Sequence, residues 1–182
     1  MKKILFIGAP GSGKGTQAKL LEKYGFKHIS TGDLIRKAWE NNDELLMPHK
    51  QAIEKGGLLQ DELIFDLIQK NTETDEKYIL DGAVRTLNQA KFAIEKNLID
   101  TVVYFSLTKN KSVERLKKRR GVENRLDDSE DAIKKRFEIY KSQTEPVLNY
   151  LKNSIKNYFE IDASPSIQEI NKEVIGILGL KK

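Results

Sequence analysis

The run GAPGSGKGTQ (8–17) sets four glycines around one lysine, a combination suited to holding phosphate. Gly8, Gly11, Gly13 and Gly15 carry no Cβ, so the backbone can take left-handed turns and let a ligand approach closely. Successive N–H groups along Gly11, Ser12, Gly13, Lys14, Gly15 and Thr16 can then converge on phosphate oxygens at the positive end of a following helix. Lys14 adds a point charge for the β- and γ-phosphates. The spacing Gly8-x4-Gly13-Lys14 fits the general phosphate-loop pattern with one departure: Gly15 stands where a Ser or Thr hydroxyl usually meets the metal, and Thr16 follows. Asp81 closes the apolar run YIL, the place of the acid that organises magnesium in phosphate-loop enzymes. With no hydroxyl at Gly15, Mg²⁺ is expected to be held largely through water, with Asp81 and Asp33 as acceptors. The arginines are the third group. Of 32 basic residues 25 are lysine and only 7 are arginine, so the arginines stand out as candidates for planar, two-pronged phosphate recognition.

These residues need elements to hold them. KKILFI (2–7) reads as a buried strand leading into the glycine loop, and the alternation of faces after the loop reads as a helix. Further strand candidates are KHIS (27–30), KYILDG (77–82), TVVYFSL (101–107) and NYFEIDA (157–163), with helical patterns between them. Strands alternating with helices predict an α/β fold, a five-stranded parallel sheet flanked by helices. Helix starts are expected at Thr31-Gly-Asp33, at Asp61 and at the acidic run Asp127-Asp128-Ser129-Glu130, and Pro146 should kink or end the last of these near Glu145. Three segments do more than serve the sheet: 31–59, 115–128 and the strand-end loop 162–166. In a parallel sheet, loops at the carboxyl ends of the strands carry the ligand site, so the first two would flank the glycine loop like jaws.

At 182 residues the chain can bury one good core, most simply as a single domain over 1–182. No cysteine is present, which excludes disulfides and a cysteine-ligated zinc site. No signal peptide or membrane span is readable, and a cytoplasmic protein is expected. The net charge of +5 suggests anionic ligands without naming one. No aromatic-interleaved basic patch points to nucleic acid, and no Asn-Lys-x-Asp guanine-reading motif points to a GTPase-type switch.

An ordered set of short runs resembles the adenylate kinase family nearly end to end: GAPGSGKGTQ, ISTGDLIR (29–36), DGAVRTLNQA (81–90), RLKKR (115–119), NRLDD (124–128) and KKRFEIY (134–140). The resemblance implies the P-loop NTPase fold with a helical AMP-binding insertion at 31–60 and a short lid at 119–128. It also implies reversible phosphoryl transfer from Mg-ATP to AMP by a monomer, with ATP, AMP and ADP as partners and no zinc. Residue by residue, it puts Thr31, Arg36, Gly57, Leu58, Leu59, Gly82, Ala83, Val84, Arg85 and Gln89 at AMP, with Gln89 reading the adenine edge. Arg119, Arg125 and Arg136 would clamp the migrating phosphoryl group beside Lys14 and Arg85. The loop Ala163, Ser164, Pro165 and Ser166 would accept the ATP adenine. Arg115 and Arg120 are left as surface or secondary residues, and His28, His49 and Trp39 as packing or surface residues.

Two departures stand out. Only RGVEN separates Arg119 from Arg125, as in short-lid members. Where the family usually reads DGFPRT, Ala83 and Val84 replace Phe and Pro; a cis bond before valine costs about 3–4 kcal/mol, so a trans peptide is expected. A kinase for UMP or CMP shares the scaffold and is the nearest alternative; Gln89 favours adenine.

Overall fold

In the computed structural model, which describes residues 2–73, 77–123 and 126–180, β1 (Lys2–Gly8) is the middle of the sheet. It can be there because it offers apolar side chains to both faces: Leu5 and Ile7 enter one core, Ile4 and Phe6 the other, and all four are buried. The chain continues through α1 (Lys14–Leu21), β2 (Lys27–Ser30), α2 (Thr31–Glu40), α3 (Lys50–Glu54) and α4 (Asp61–Thr72). Then come β3 (Lys77–Asp81), α5 (Leu87–Glu95), β4 (Thr101–Ser106), α6 (Lys109–Glu123), α7 (Glu130–Ile139), α8 (Glu145–Ser154), β5 (Asn157–Asp162) and α9 (Ile167–Ile177).

The sheet order is β2-β3-β1-β4-β5 and every pairing is parallel, as the alternating pattern predicts. One face is covered by α1 and α9, whose Ala18, Leu21, Ile170 and Val174 pack on Ile4, Phe6, Val103 and Phe105. The other is covered by α2, α4, α5 and α8 through Ile35, Ile68, Ala90, Ala93 and Leu151. A smaller cluster of Ala9, Leu116, Ile133 and Phe137 fastens α6 and α7 over the glycine loop. The register pairs Phe6 with Asp81, which sets the end of β3 beside the loop that leaves β1.

The structure sharpens three local details. The acidic run 127–130 does lead into a helix with an acidic first turn, but the helix starts at Glu130, after Asp127 and Asp128. They lie in a short 3₁₀ turn, and Ser129 caps α7 by accepting from the Ala132 N–H at 3.3 Å. The stretch after Arg119 stays helical as far as Glu123, where α6 ends. The change near Pro146 begins earlier than Glu145: one wide π-helical turn, Tyr140–Thr144, joins α7 to α8, and Pro146 falls in the first turn of α8. No described peptide bond is cis, so Ala83–Val84 is trans. Among the described residues no helix is long and apolar enough to cross a membrane.

Candidate active site

The glycine loop connects β1 to α1, and three of its glycines have positive φ: 152° at Gly8, 79° at Gly11 and 90° at Gly13. A Cβ on Gly11 would sit 2.8 Å from the Ser112 carbonyl oxygen, so close packing as well as φ demands glycine there. Gly15 differs. It is helical, and a Cβ there would come within 3.1 Å of Asp81 Oδ2, a tight contact. Lys14 Nζ donates to the carbonyls of Gly8 (2.9 Å) and Ala9 (3.0 Å) and to Ser12 Oγ (3.1 Å). Burial pushes the Lys14 ammonium down to about 8; Asp81 opposes this, while Arg85, Arg136 and Arg119 add to it.

The arginines meet above the loop. Arg119, from α6, grips Asp128 with Nε at 2.6 Å and Nη2 at 2.7 Å. Arg136, from α7, reaches the same carboxylate at 2.8 Å and Asp127 Oδ2 at 3.2 Å. Asp128 has no exposed side-chain surface, so both charges are oriented by a buried anion. Burial works against the charge on each arginine. At Arg119 the hydrogen-bonded Asp128 outweighs it and the pKa rises, whereas at Arg136 burial prevails over Asp127 and Asp128 and the pKa falls. Arg85 follows β3, and burial with the nearby Arg136 lowers it to about 10 against Asp81 and Asp127. Its backbone is held at both ends: Gln89 Oε1 accepts from its N–H at 2.7 Å, and Thr144 Oγ1 donates to its carbonyl at 3.0 Å. Arg36, on α2, pairs with Asp33 one turn earlier.

A cleft of about 810 Å³ takes in Gly11, Gly13 to Thr16, Asp81, Arg85, Arg119 and Arg136 at one end, and Thr31, Arg36, Gly57 to Leu59, Gly82, Val84 and Gln89 at the other. Apolar Ile35, Ile53, Leu59 and Ile64 shape the second end. Gly56, with φ 85°, turns the chain out of α3 and passes the Ala132 carbonyl so closely that a Cβ would be 2.6 Å from it.

Not every expected residue enters the cleft. Ser12 is buried beneath the loop and holds Lys14, and Ala83 packs into the core. Ala163, Ser164, Pro165 and Ser166 do not line it: Ala163 is buried, and Ser166 caps α9. Arg125 lies outside the described residues. Arg115, set aside as a secondary residue, donates to the carbonyls of Ser164 (3.3 Å) and Pro165 (3.4 Å) and so ties α6 to that loop. Sequence reasoning also missed the part played by Asp127, Asp128 and Thr144. Their local pattern is that of ordinary capping and helix residues, and only the folded chain brings the arginines to them.

Magnesium can be tested against the donors present. Among the described residues there is no cluster of three or more metal-binding side chains. Asp81 presses on the loop at Gly15, with His28 Nε2 at 3.4 Å from its Oδ2, while Asp33 is engaged by Arg36. A single carboxylate beside a phosphate cradle suits magnesium, which keeps several waters and takes its remaining ligands from substrate phosphates.

A middle parallel strand that runs into a lysine-bearing glycine loop sets the P-loop NTPase fold apart, and a cleft crowded with arginines suits those members that move phosphoryl groups between nucleotides. Comparison with known proteins agrees. The adenylate kinase family model matches residues 6–156. An adenylate kinase of Elusimicrobium minutum is 36% identical, with 98% of this chain and 99% of that protein covered. Adenylate kinases of Prochlorococcus marinus (strain MIT 9301) and Bacteroides thetaiotaomicron are each 38% identical, over 95% and 96% of this chain and 96% of each relative. The chain belongs to the adenylate kinase family of nucleoside monophosphate kinases.

Proposed function

We propose that the protein transfers the terminal phosphoryl group of Mg-ATP to AMP, reversibly, giving two ADP and so balancing the adenine nucleotides. The observation that carries this reading is continuity: one cleft joins the glycine loop to an apolar pocket, with Arg36, Arg85, Arg119 and Arg136 along it. Such a cleft accepts two polyanions facing each other, one with its phosphates in the loop, the other with its base in the pocket. Residues 31–60 act as the AMP-binding flap and residues 119–128, Arg125 included, as a short lid. The loop at 163–166, tied to α6 by Arg115, takes the ATP adenine from the far side.

In the reaction an oxygen of the AMP phosphate forms a bond to the γ-phosphorus as the bond from that phosphorus to the bridging oxygen of ADP breaks. The attacking oxygen is already ionised, so no general base is required. What opposes the step is repulsion between the two phosphate chains, and what this chain supplies is fixed positive charge around the migrating group. Lys14 and the loop amides hold the donor, Arg36 and Arg85 the acceptor, and Arg119, Arg125 and Arg136 the group in transit. Magnesium bound with ATP would shield the phosphate oxygens, and Asp81 would hold it through water.

The test is ADP formation from Mg-ATP with AMP, UMP, CMP or GMP in turn. Turnover confined to AMP is expected; turnover with UMP and CMP alone would move the enzyme to the pyrimidine kinases on the same scaffold. The same reading has the enzyme working in the cytoplasm as a monomer, and light scattering at twice its 20.8 kDa would revise that.

A further inference from the structure

The amide of Gln89 lines the apolar end of the cleft, yet only 3% of the residue is exposed and its side chain is held from two directions. Its Oε1 accepts from the N–H of Arg85 at 2.7 Å and from the N–H of Thr86 at 3.3 Å. Its Nε2 donates to Asp61 Oδ1 at 2.8 Å. Asp61 also accepts from Thr86 Oγ1 at 3.2 Å, and that hydroxyl in turn accepts from the Gln89 N–H at 3.2 Å. These partners decide which end of the amide is which. Backbone N–H groups can only donate and a carboxylate can only accept, so oxygen faces Arg85 and nitrogen faces Asp61. Both lone pairs of Oε1 are then used, and among the described residues one N–H of Nε2 is left over.

We infer that Asp61 is a positioning residue for base selection: it fixes the Gln89 amide so that a donor, and not an acceptor, is offered to the acceptor nucleotide. The inference rests on the AMP reading above and refines it. A base that presents a ring acceptor on its Watson–Crick edge, as adenine does at N1, matches that donor. A purine of the same size that carries a proton there, as hypoxanthine does at N1, sets donor against donor and leaves both unpaired. Asp61 is also the first residue of α4, where a negative charge favours the helix. That role alone would not involve Gln89.

The experiment compares kcat/KM for AMP and for inosine monophosphate, with Mg-ATP, in the wild type, Asp61→Ala, Asp61→Asn, Gln89→Leu and the double variant Asp61→Ala with Gln89→Leu. Wild type should prefer AMP, and Asp61→Ala should shrink that preference about tenfold, the worth of one hydrogen bond, with the KM for Mg-ATP unchanged. Asp61→Asn, which keeps the shape and can still accept, should shrink it less and serves if the alanine variant does not fold. In the Gln89→Leu background, loss of Asp61 should change the preference no further. Equal losses toward both acceptors, or a further loss of preference in the double variant, would overturn the inference while leaving the AMP assignment intact. A wild-type enzyme that fails to use AMP would instead overturn the assignment itself.

Discussion

Lys14, which the proposed mechanism assigns to the donor, lies in an environment that disfavours its charge, so its protonation should report phosphate binding. With its pKa brought down to about 8 by burial, Lys14 should lose its proton in alkaline buffer and regain it when a polyphosphate binds. ATP binding at about pH 8.5 should therefore take up protons, seen calorimetrically as a binding enthalpy that changes with the buffer's ionisation enthalpy. Lys14→Arg should abolish the uptake; a buffer-independent enthalpy in the wild type would contradict it. The unfolded chain keeps this proton between about pH 8 and 10 while the folded chain does not, so this lysine's contribution to stability rises with pH through that window. In the proposed mechanism Arg119, Arg125 and Arg136 clamp the migrating group. A charge-assisted hydrogen bond is worth about 1.5–3 kcal/mol, which is about ten- to a hundredfold in rate when it is made only in the transition state. Changing any of the three to alanine should cut kcat at least tenfold, whereas the exposed Lys91 tolerates the same change. Near-normal turnover in all three arginine variants would remove the clamp from the mechanism.

Elements carry these residues as rigid handles. The α7, π-turn and α8 sequence is the clearest case, because the wide turn brings Thr144 beneath the loop that holds Arg85. Thr144 is buried and its hydroxyl meets a carbonyl 59 residues away in sequence. Thr144→Val keeps nearly the same shape but leaves that carbonyl without its partner, a loss of about 1–3 kcal/mol. Urea unfolding should register that loss, and turnover should fall with it as Arg85 drifts. Unchanged stability would mean the hydroxyl does not anchor Arg85. Asp128 acts between elements in a similar way, drawing α6 and α7 together by facing Arg119 and Arg136 at once.

At the scale of the whole molecule, the proposed reaction has a chain of net charge +5 gather two polyanions into one cleft. An inhibitor that joins two adenosines through a phosphate chain should raise the unfolding temperature more than saturating ATP or AMP alone. Linkage makes the second engagement intramolecular and confines the stabilisation to the folded state. Added salt should erode the gain, since much of it is electrostatic. Equal stabilisation by the linked compound and by ATP would argue against two facing subsites.

Much of this was legible before folding. Five apolar runs, each flanked by turn residues, were enough to place the strands to within a residue or two, because strand formation answers to local side-chain pattern. The glycine loop could be read because close phosphate approach restricts residue type at fixed spacing, and the arginines because lysine supplies the bulk of the surface charge. The pairing of those arginines could not be read in this way. That Arg119 and Arg136 share Asp128, that Asp61 turns the Gln89 amide and that Thr144 props Arg85 are matters of which helices pack against which. No local periodicity encodes these approaches, which join residues from eight to 59 positions apart. Burial of both sheet faces brings them together, and only then do the short polar contacts of the site exist.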